Sequence, residues 1–185
     1  AEMNEFSLVC GAIPTFTWLD GCSNGEQSIE ELVEVGRSTG VAAFNIIPDR
    51  NYTPGKKDQK LENLNQVVKL TQDLGLPLLG GTEMNSPGQK FVDDFSSAEL
   101  APHHNLFLRG SWILHAHSTL QRYAGMGYLS DWAENQFSGV ESKNDFYASF
   151  GESFSPRGDR ILQDSLNAEM GAGEVSELAA RAMSA

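Results

Sequence analysis

Three carboxylates and two histidines stand where short apolar runs of the sequence end. Asp20, Asp49 and Glu83 each follow such a run, and His115 and His117 close a fourth. If these side chains meet, their mixed oxygen and nitrogen donors suit zinc, manganese or iron better than calcium. A divalent metal polarises a scissile group and lowers the pKa of its bound water, which supplies a nucleophile near neutral pH. We expect Asp49 and Glu83 to act in catalysis and in metal binding; the further predicted ligands are His117, His115 and Asp20.

Polar and cationic side chains beside these positions could hold a substrate. An Arg or Lys in an acidic site orients a phosphate or carboxylate and stabilises the negative charge that develops in the transition state. The predicted substrate-binding residues are Arg50, Asn51, Asn85, Lys90 and Arg122. The expected substrate is therefore a small phosphorylated or carboxylated metabolite.

Four strand–helix units are predicted to carry these side chains. The apolar runs span residues 13–19, 41–47, 76–81 and 111–117. Because they are apolar nearly throughout, they are typical of parallel strands buried on both faces. Helical patterns separate them, and the run ends recur at about 30 residues, the length of one βα unit. The sequence thus predicts an α/β fold of parallel strands alternating with helices, with the site residues at the carboxyl ends of the strands.

Two predictions concern the second half of the chain. On the fourth strand, His115 and His117 would project to the same face, because one residue separates them. After residue 128 the pattern changes: residues 129–133 and 159–185 carry helical stripes, and residues 144–154 are aromatic and turn-rich. This change predicts a C-terminal cover of helices packed on the sheet.

Composition and charge narrow the function classes. The 185 residues include 13 Lys and Arg against 25 Asp and Glu, a formal charge of −12. The negative electrostatic potential of such a chain repels phosphate backbones and anionic bilayers, so neither nucleic acid nor membrane is an expected partner. No apolar run approaches the length of a membrane span and no secretory signal is recognisable, which predicts a cytoplasmic protein. The fingerprints of P-loop, Rossmann, serine-hydrolase and helix-based zinc-peptidase sites are absent from the sequence.

Two short motifs end the second and third apolar runs: IPDRN at residues 47–51 and LLGGTE at residues 78–83. They resemble motifs of the polymerase and histidinol phosphatase (PHP) family, over less than a third of the chain. In that family one strand ends in Asp-His-Asn, whose outer positions Asp49 and Asn51 match, and the next strand ends in Gly-x-Glu, which Glu83 matches. Arg50 stands where the family has a metal-binding histidine. The resemblance implies a metal-dependent phosphoesterase on a distorted β/α barrel.

Chain length bears on how such a barrel could close. A full eight-unit barrel takes about 250 residues, whereas four units are recognisable here. The expected fold is a TIM-like barrel or part of one, in a single domain over residues 1–185. Its open strand edges would be covered by the C-terminal helices or by a second copy in a homo-oligomer. Alternatively, the chain is the C-terminal part of a longer barrel protein.

Three functions agree with these residues. The first is a metal-dependent hydrolase of the phosphoesterase type. The second is a barrel isomerase that uses the same metal to handle the hydroxyl and carbonyl oxygens of a sugar. The third is a non-catalytic barrel fragment that acts as a binding or assembly module.

Overall fold

The computed structural model describes residues 2–51, 56–85, 87 and 91–184. Its strands are β1 (Thr15–Trp18), β2 (Ala43–Ile46) and β3 (Leu78–Gly80). Its helices are α1 (Glu2–Val9), α2 (Ile29–Ser38), α3 (Lys57–Asp73), α4 (His104–Ala124), α5 (Asp131–Gln136), α6 (Val140–Ser153), α7 (Asp159–Ser165) and α8 (Ala172–Ser184). Short 3-10 turns lie at Pro48–Asn51, Ala101–His103 and Pro156–Gly158.

The chain divides into two compact units. The first unit comprises Ala1–Phe6 and Pro14–Leu108, and the second comprises Ser7–Ile13 and Arg109–Ala185. Within the described residues, no helix combines the length and the apolar character that crossing a bilayer requires.

The first unit is built around its three parallel strands, which pair in the order β1-β2-β3. Because right-handed crossovers join neighbouring strands in chain order, α2 and α3 fall on the same face of the sheet. Trp18 and Ile46 point to that face and are fully buried in a core shared with Ile29 and Leu64. Thr17 alternates with Trp18 and is exposed, so the predicted burial of the strands on both faces is wrong for β1.

The two crossover helices follow from local sequence patterns. In α2 the buried positions are Ile29, Val33 and Gly36, one stripe of an amphipathic helix. Gly40 follows it at φ 96°, a left-handed conformation that favours glycine and ends a helix. In α3 the buried stripe likewise follows helical spacing, and Gly75 follows that helix at φ 64°. The helices predicted from these patterns are therefore confirmed.

The predicted TIM-like barrel is wrong. The described residues contain one open sheet of three strands, and most of the described residues lie in helices. The predicted fourth strand, residues 111–117, lies inside α4. Ile113, Ala116 and Leu120 are buried there at helical spacing. A short apolar run does not by itself distinguish a strand from a buried helix, and here the helical period continues through it on both sides.

The described residues of the second unit form helices joined by turns and irregular segments, with no strand. The predicted helical stripes near residue 132 and over residues 159–185 form α5, α7 and α8, and α7 and α8 pack against each other. The helix α6 covers a segment whose composition predicts turns, so that prediction is wrong. The buried side chains of α5 to α8 join those of α4 in one core, in which Leu120, Tyr147 and Val175 are fully buried. At Gly151 of α6 an added Cβ would lie 2.0 Å from the carbonyl oxygen of Trp112, so α4 and α6 approach closely there.

Candidate functional site

Three of the predicted site residues lie along one edge of the sheet in the first unit. Asp20 follows β1, Asp49 lies in the 3-10 turn that follows β2, and Glu83 follows β3. In a parallel sheet the carboxyl ends of the strands share an edge, where α/β folds place their binding residues. We call this edge, with Asp20, Asp49, Arg50, Asn51, Lys60, Thr82, Glu83, Asn85 and Asp93, the carboxyl rim.

An ion pair joins the second and third segments of the carboxyl rim. Arg50 donates from Nη2 and Nε to Glu83 Oε2 at 2.7 and 3.1 Å. Asn85 Nδ2 donates to the other oxygen, Glu83 Oε1, at 2.8 Å. The hydrogen bonds and the charge of Glu83 raise the pKa of Arg50. Both oxygens of Glu83 are therefore engaged within the chain.

A second ion pair joins the end of β1 to α3. Lys60 Nζ lies 3.1 Å from Asp20 Oδ2, and the two side chains are 13% and 18% exposed. Lys60 also donates to the carbonyl oxygen of Arg50 at 3.0 Å. Burial alone would raise the pKa of Asp20, but the Cys22 N–H and Lys60 together lower it below its ordinary value. Lys60 thus holds the turn that carries Arg50 against the end of β1.

Asp49 differs from the other rim carboxylates. Its Oδ1 is buried and has no hydrogen-bond partner in the part of the chain that the structure describes. Burial raises the pKa of Asp49, and the negative charges of Asp93 and Glu83 raise it further, against an opposing effect of Arg50. Asp93 is itself only 4% exposed and accepts a hydrogen bond from Thr82 Oγ1 at 2.7 Å. Burial of Oδ1 and the neighbouring negative charges therefore favour the protonated form of Asp49 more than that of an ordinary Asp carboxyl.

Unpaired buried polar atoms concentrate at the ends of β1 and β2. The described residues have four such side-chain atoms, and three of them are Trp18 Nε1, Asp49 Oδ1 and Asn51 Oδ1. Folded proteins leave few atoms of this kind without a partner, so each calls for a water or a ligand. A cavity of about 20 Å³ lined by Trp18 and Asn63 has room for one water. The oxygens of Asp49 and Asn51 remain without a partner among the described residues.

The predicted metal ligands do not fit a metal centre in this arrangement. Among the described residues, no group of three His, Cys, Asp or Glu side chains could hold a metal ion. The reason lies in the pairing, because Arg50 engages Glu83 and Lys60 engages Asp20. Of these three carboxylates, Asp49 alone keeps a buried oxygen that no described residue engages.

The two predicted histidine ligands belong to the second unit. His115 and His117 lie on α4, where they diverge by about 200°. Their predicted projection to one face of a strand is therefore wrong. His115 Nδ1 donates to the carbonyl oxygen of Gly151 at 3.2 Å.

His117 is fixed through both of its ring nitrogens. Nδ1 accepts from the N–H of Tyr128 at 3.0 Å, so the ring proton is on Nε2, which donates to the carbonyl oxygen of Gly11 at 3.0 Å. Burial lowers the pKa of His117, which favours this neutral form. The structure thus gives His117 the hydrogen bonds of a structural residue.

The remaining predicted residues fall into three places. Asn51 and Asn85 lie on the carboxyl rim, and Arg122 lies on α4 in the second unit. Lys90 lies outside the described residues. Sequence reasoning missed Lys60 and Asp93. Lys60 could have been found, because a crossover helix begins at the carboxyl edge and its first turns face that edge.

Comparisons with protein-family models, with curated proteins and with solved structures found no significant match. The resemblance to the PHP family therefore stays a prediction.

Proposed function

We propose that the carboxyl rim of the first unit is the active site of a hydrolase for a small phosphorylated or carboxylated metabolite. The observation that carries this proposal is Asp49, which has one buried carboxyl oxygen without a partner among the described residues and a raised pKa. A carboxyl group with a raised pKa is suited to general acid catalysis, because it keeps its proton to a higher pH than an ordinary carboxyl does.

Arg50 is the group that would bind the anionic part of the substrate. Its side chain is 40% exposed, whereas that of Lys60 is only 13% exposed. A guanidinium binds phosphate or carboxylate through two parallel hydrogen bonds, so a substrate oxyanion can replace Glu83 as its acceptor. Lys60 acts as a positioning residue, because it holds the carbonyl oxygen of Arg50 rather than facing solvent.

Proton transfer at Asp49 would drive the bond cleavage. Protonated Asp49 donates to the leaving-group oxygen while water attacks, and the Asp49 carboxylate then takes the proton that the attacking water loses. A correctly placed acid of this kind contributes about 100- to 10,000-fold to a rate. No step uses a metal, because the predicted ligands Glu83 and Asp20 are engaged by cations.

The proposal is tested with a panel of sugar phosphates and small carboxylic esters, by measuring phosphate or acid release from the full chain. Hydrolysis is expected to continue in excess EDTA and to fall at least 100-fold in Asp49→Asn. Asp58→Asn is the matched control, because Asp58 is exposed in the first turn of α3. Equal rates for the two variants, or activity that requires added zinc or manganese, would contradict the proposal.

A non-catalytic small-ligand binding module is the second candidate. The ion pairs of Glu83 and Asp20 favour this candidate. Carboxylates that are held by cations shape a binding site but take no part in a reaction. Binding of a panel member to the wild-type protein without product release would support this role. Turnover that depends on Asp49 would exclude it.

A further inference from the structure

We propose that the second unit carries a separate binding site for a short aliphatic monocarboxylate, in a cavity between residues 11–13 and α4. This inference does not depend on the function proposed for the first unit. The cavity has a volume of about 330 Å³. That volume lies at the small end of the range for small-molecule sites.

One wall of the cavity is apolar. It is formed by Ala12, Ile13 and Leu114. Leu114 is 40% exposed although it is a large apolar residue, so a hydrocarbon group seated here would remove apolar surface from water. Such a wall suits the aliphatic part of a ligand.

The polar side of the cavity carries a cation and no carboxylate. Arg122 lines it, and neither the cavity lining nor the whole of α4 contains an Asp or Glu. Within the described residues Arg122 has no acceptor, whereas Arg109 on the same helix lies 2.7 Å from Asp145 Oδ1. In a chain with a formal charge of −12, an unpaired Arg beside an acid-free cavity selects for an anion.

A second donor in the cavity is held in place. Gln121 Oε1 accepts from the N–H of Gly127 at 3.0 Å, which fixes the side-chain amide. Its Nε2 faces Gly11, where an added Cβ would lie only 2.8 Å away. This Nε2 has no acceptor among the described residues. The Gln121 amide and the Arg122 guanidinium thus offer donors to one carboxylate, next to an apolar wall.

The expected affinity is modest because the ligand is small. A carboxylate with a branched chain of a few carbons has few non-hydrogen atoms, so its dissociation constant is expected to be about 1 mM. Isovalerate is the probe, and 3-methylbutan-1-ol is its neutral counterpart of nearly the same shape. Binding is followed by amide NMR shifts of the full chain during titration.

The wild-type protein is expected to show saturable isovalerate shifts at residues 11–13 and 114–122, and at least tenfold weaker binding of the alcohol. Arg122→Gln is expected to weaken isovalerate binding at least tenfold. Arg157→Gln is the matched control, because Arg157 is an exposed Arg of the same unit outside this cavity, and it should bind as the wild type does. Equal affinities for acid and alcohol, or an Arg122→Gln variant that binds normally, would overturn the proposal.

A second variant guards against an indirect effect of Arg122 on the end of α4. Leu114→Asp places a carboxylate in the lining that Leu114 shares with Arg122 and should abolish isovalerate binding, while Leu114→Asn should weaken it less. Circular dichroism of each variant reports whether the helices are retained. Folded Leu114→Asp protein that still binds isovalerate with wild-type affinity would also refute the site.

Discussion

Arg50 donates two hydrogen bonds to a single oxygen of Glu83, at 2.7 and 3.1 Å, and so ties the turn after β2 to the loop after β3. The resemblance to the PHP family places a metal-binding histidine at position 50. A guanidinium there brings a positive charge where a ligand is expected, and it takes the carboxylate that would face the metal. The pairing is therefore the physical reason why the predicted metal centre does not fit.

Arg50→His is expected to create zinc affinity at the carboxyl rim. The substitution frees Glu83 and adds an imidazole nitrogen between Asp49 and Glu83, which are zinc ligands of ordinary type. We expect zinc to bind at least tenfold more tightly than to the wild-type protein in a competition titration against a chromogenic chelator. Arg37→His adds an imidazole on the exposed last turn of α2 and should leave affinity unchanged. Equal affinity of both variants would show that Arg50 does not block a metal site.

Asp49→Asn is expected to stabilise the protein while it removes the proposed acid. Because the pKa of Asp49 is raised in the folded state, the unfolded chain releases its proton first, and the free energy of unfolding falls as pH rises through that titration. The Asn variant should therefore be more stable by about 1 kcal/mol at pH 7. Its advantage should vanish below the ordinary Asp pKa of about 4.

Thermal unfolding of both proteins across this pH range makes that comparison. A variant less stable than the wild type at pH 7 would mean that ionised Asp49 is favourably placed, although no described residue pairs with its buried oxygen.

Lys60→Met is expected to destabilise the first unit by about 2 kcal/mol, because it leaves Asp20 largely buried without its cation. Lys69→Met is the matched control, since Lys69 forms an exposed pair with Asp73 on the same helix. Exposed pairs of this kind contribute less than about 1 kcal/mol. Urea unfolding of both variants measures the difference, and similar losses would show that the Lys60–Asp20 pair has no special role.

His117→Phe is expected to cost about 2 kcal/mol, because the Tyr128 N–H and the Gly11 carbonyl lose their partner. The lowered pKa of His117 also gives a pH signature. As pH falls below the ordinary histidine value of about 6.5, the unfolded chain takes the proton first, and the free energy of unfolding decreases. This part of the pH dependence should disappear in the variant.

Denaturant unfolding between pH 5 and 8 tests the role of His117. This pH range brackets the unperturbed histidine pKa. Burial also lowers the pKa of His103, but that residue contributes equally to both proteins, so their difference isolates His117. His104→Phe, at an exposed position of α4, should retain the wild-type slope. An unchanged slope in His117→Phe would argue against a neutral ring in the folded state.

The first unit could be predicted from local patterns. The apolar runs that became β1, β2 and β3 end in polar residues, and α2 and α3 follow helical periodicity between them. Since parallel strands end at a common edge, the placement of Asp20, Asp49 and Glu83 along that edge followed from the strand assignment alone. The strand predicted at residues 111–117 was wrong because the seven residues SWILHAH are apolar enough for either a strand or a buried helix.

The pairing on the carboxyl rim could not be predicted in the same way. Whether the Arg50 side chain pairs with Glu83 or with a substrate depends on side-chain orientations, which the spacing of residues in the sequence does not determine. Asp93 lies in an irregular segment after β3, where no periodicity marks a buried carboxylate. The role of His117 likewise depends on Gly11, which is 106 residues away in the chain.

The order of the strands has a consequence for how the rim comes together during synthesis. The strands β1, β2 and β3 are synthesised in the same order in which they lie in the sheet. Arg50 is therefore synthesised before its acidic partner Glu83. A nascent chain that stopped at residue 77 would present this guanidinium without Glu83. Glu83 therefore completes charge neutralisation only when the last strand docks.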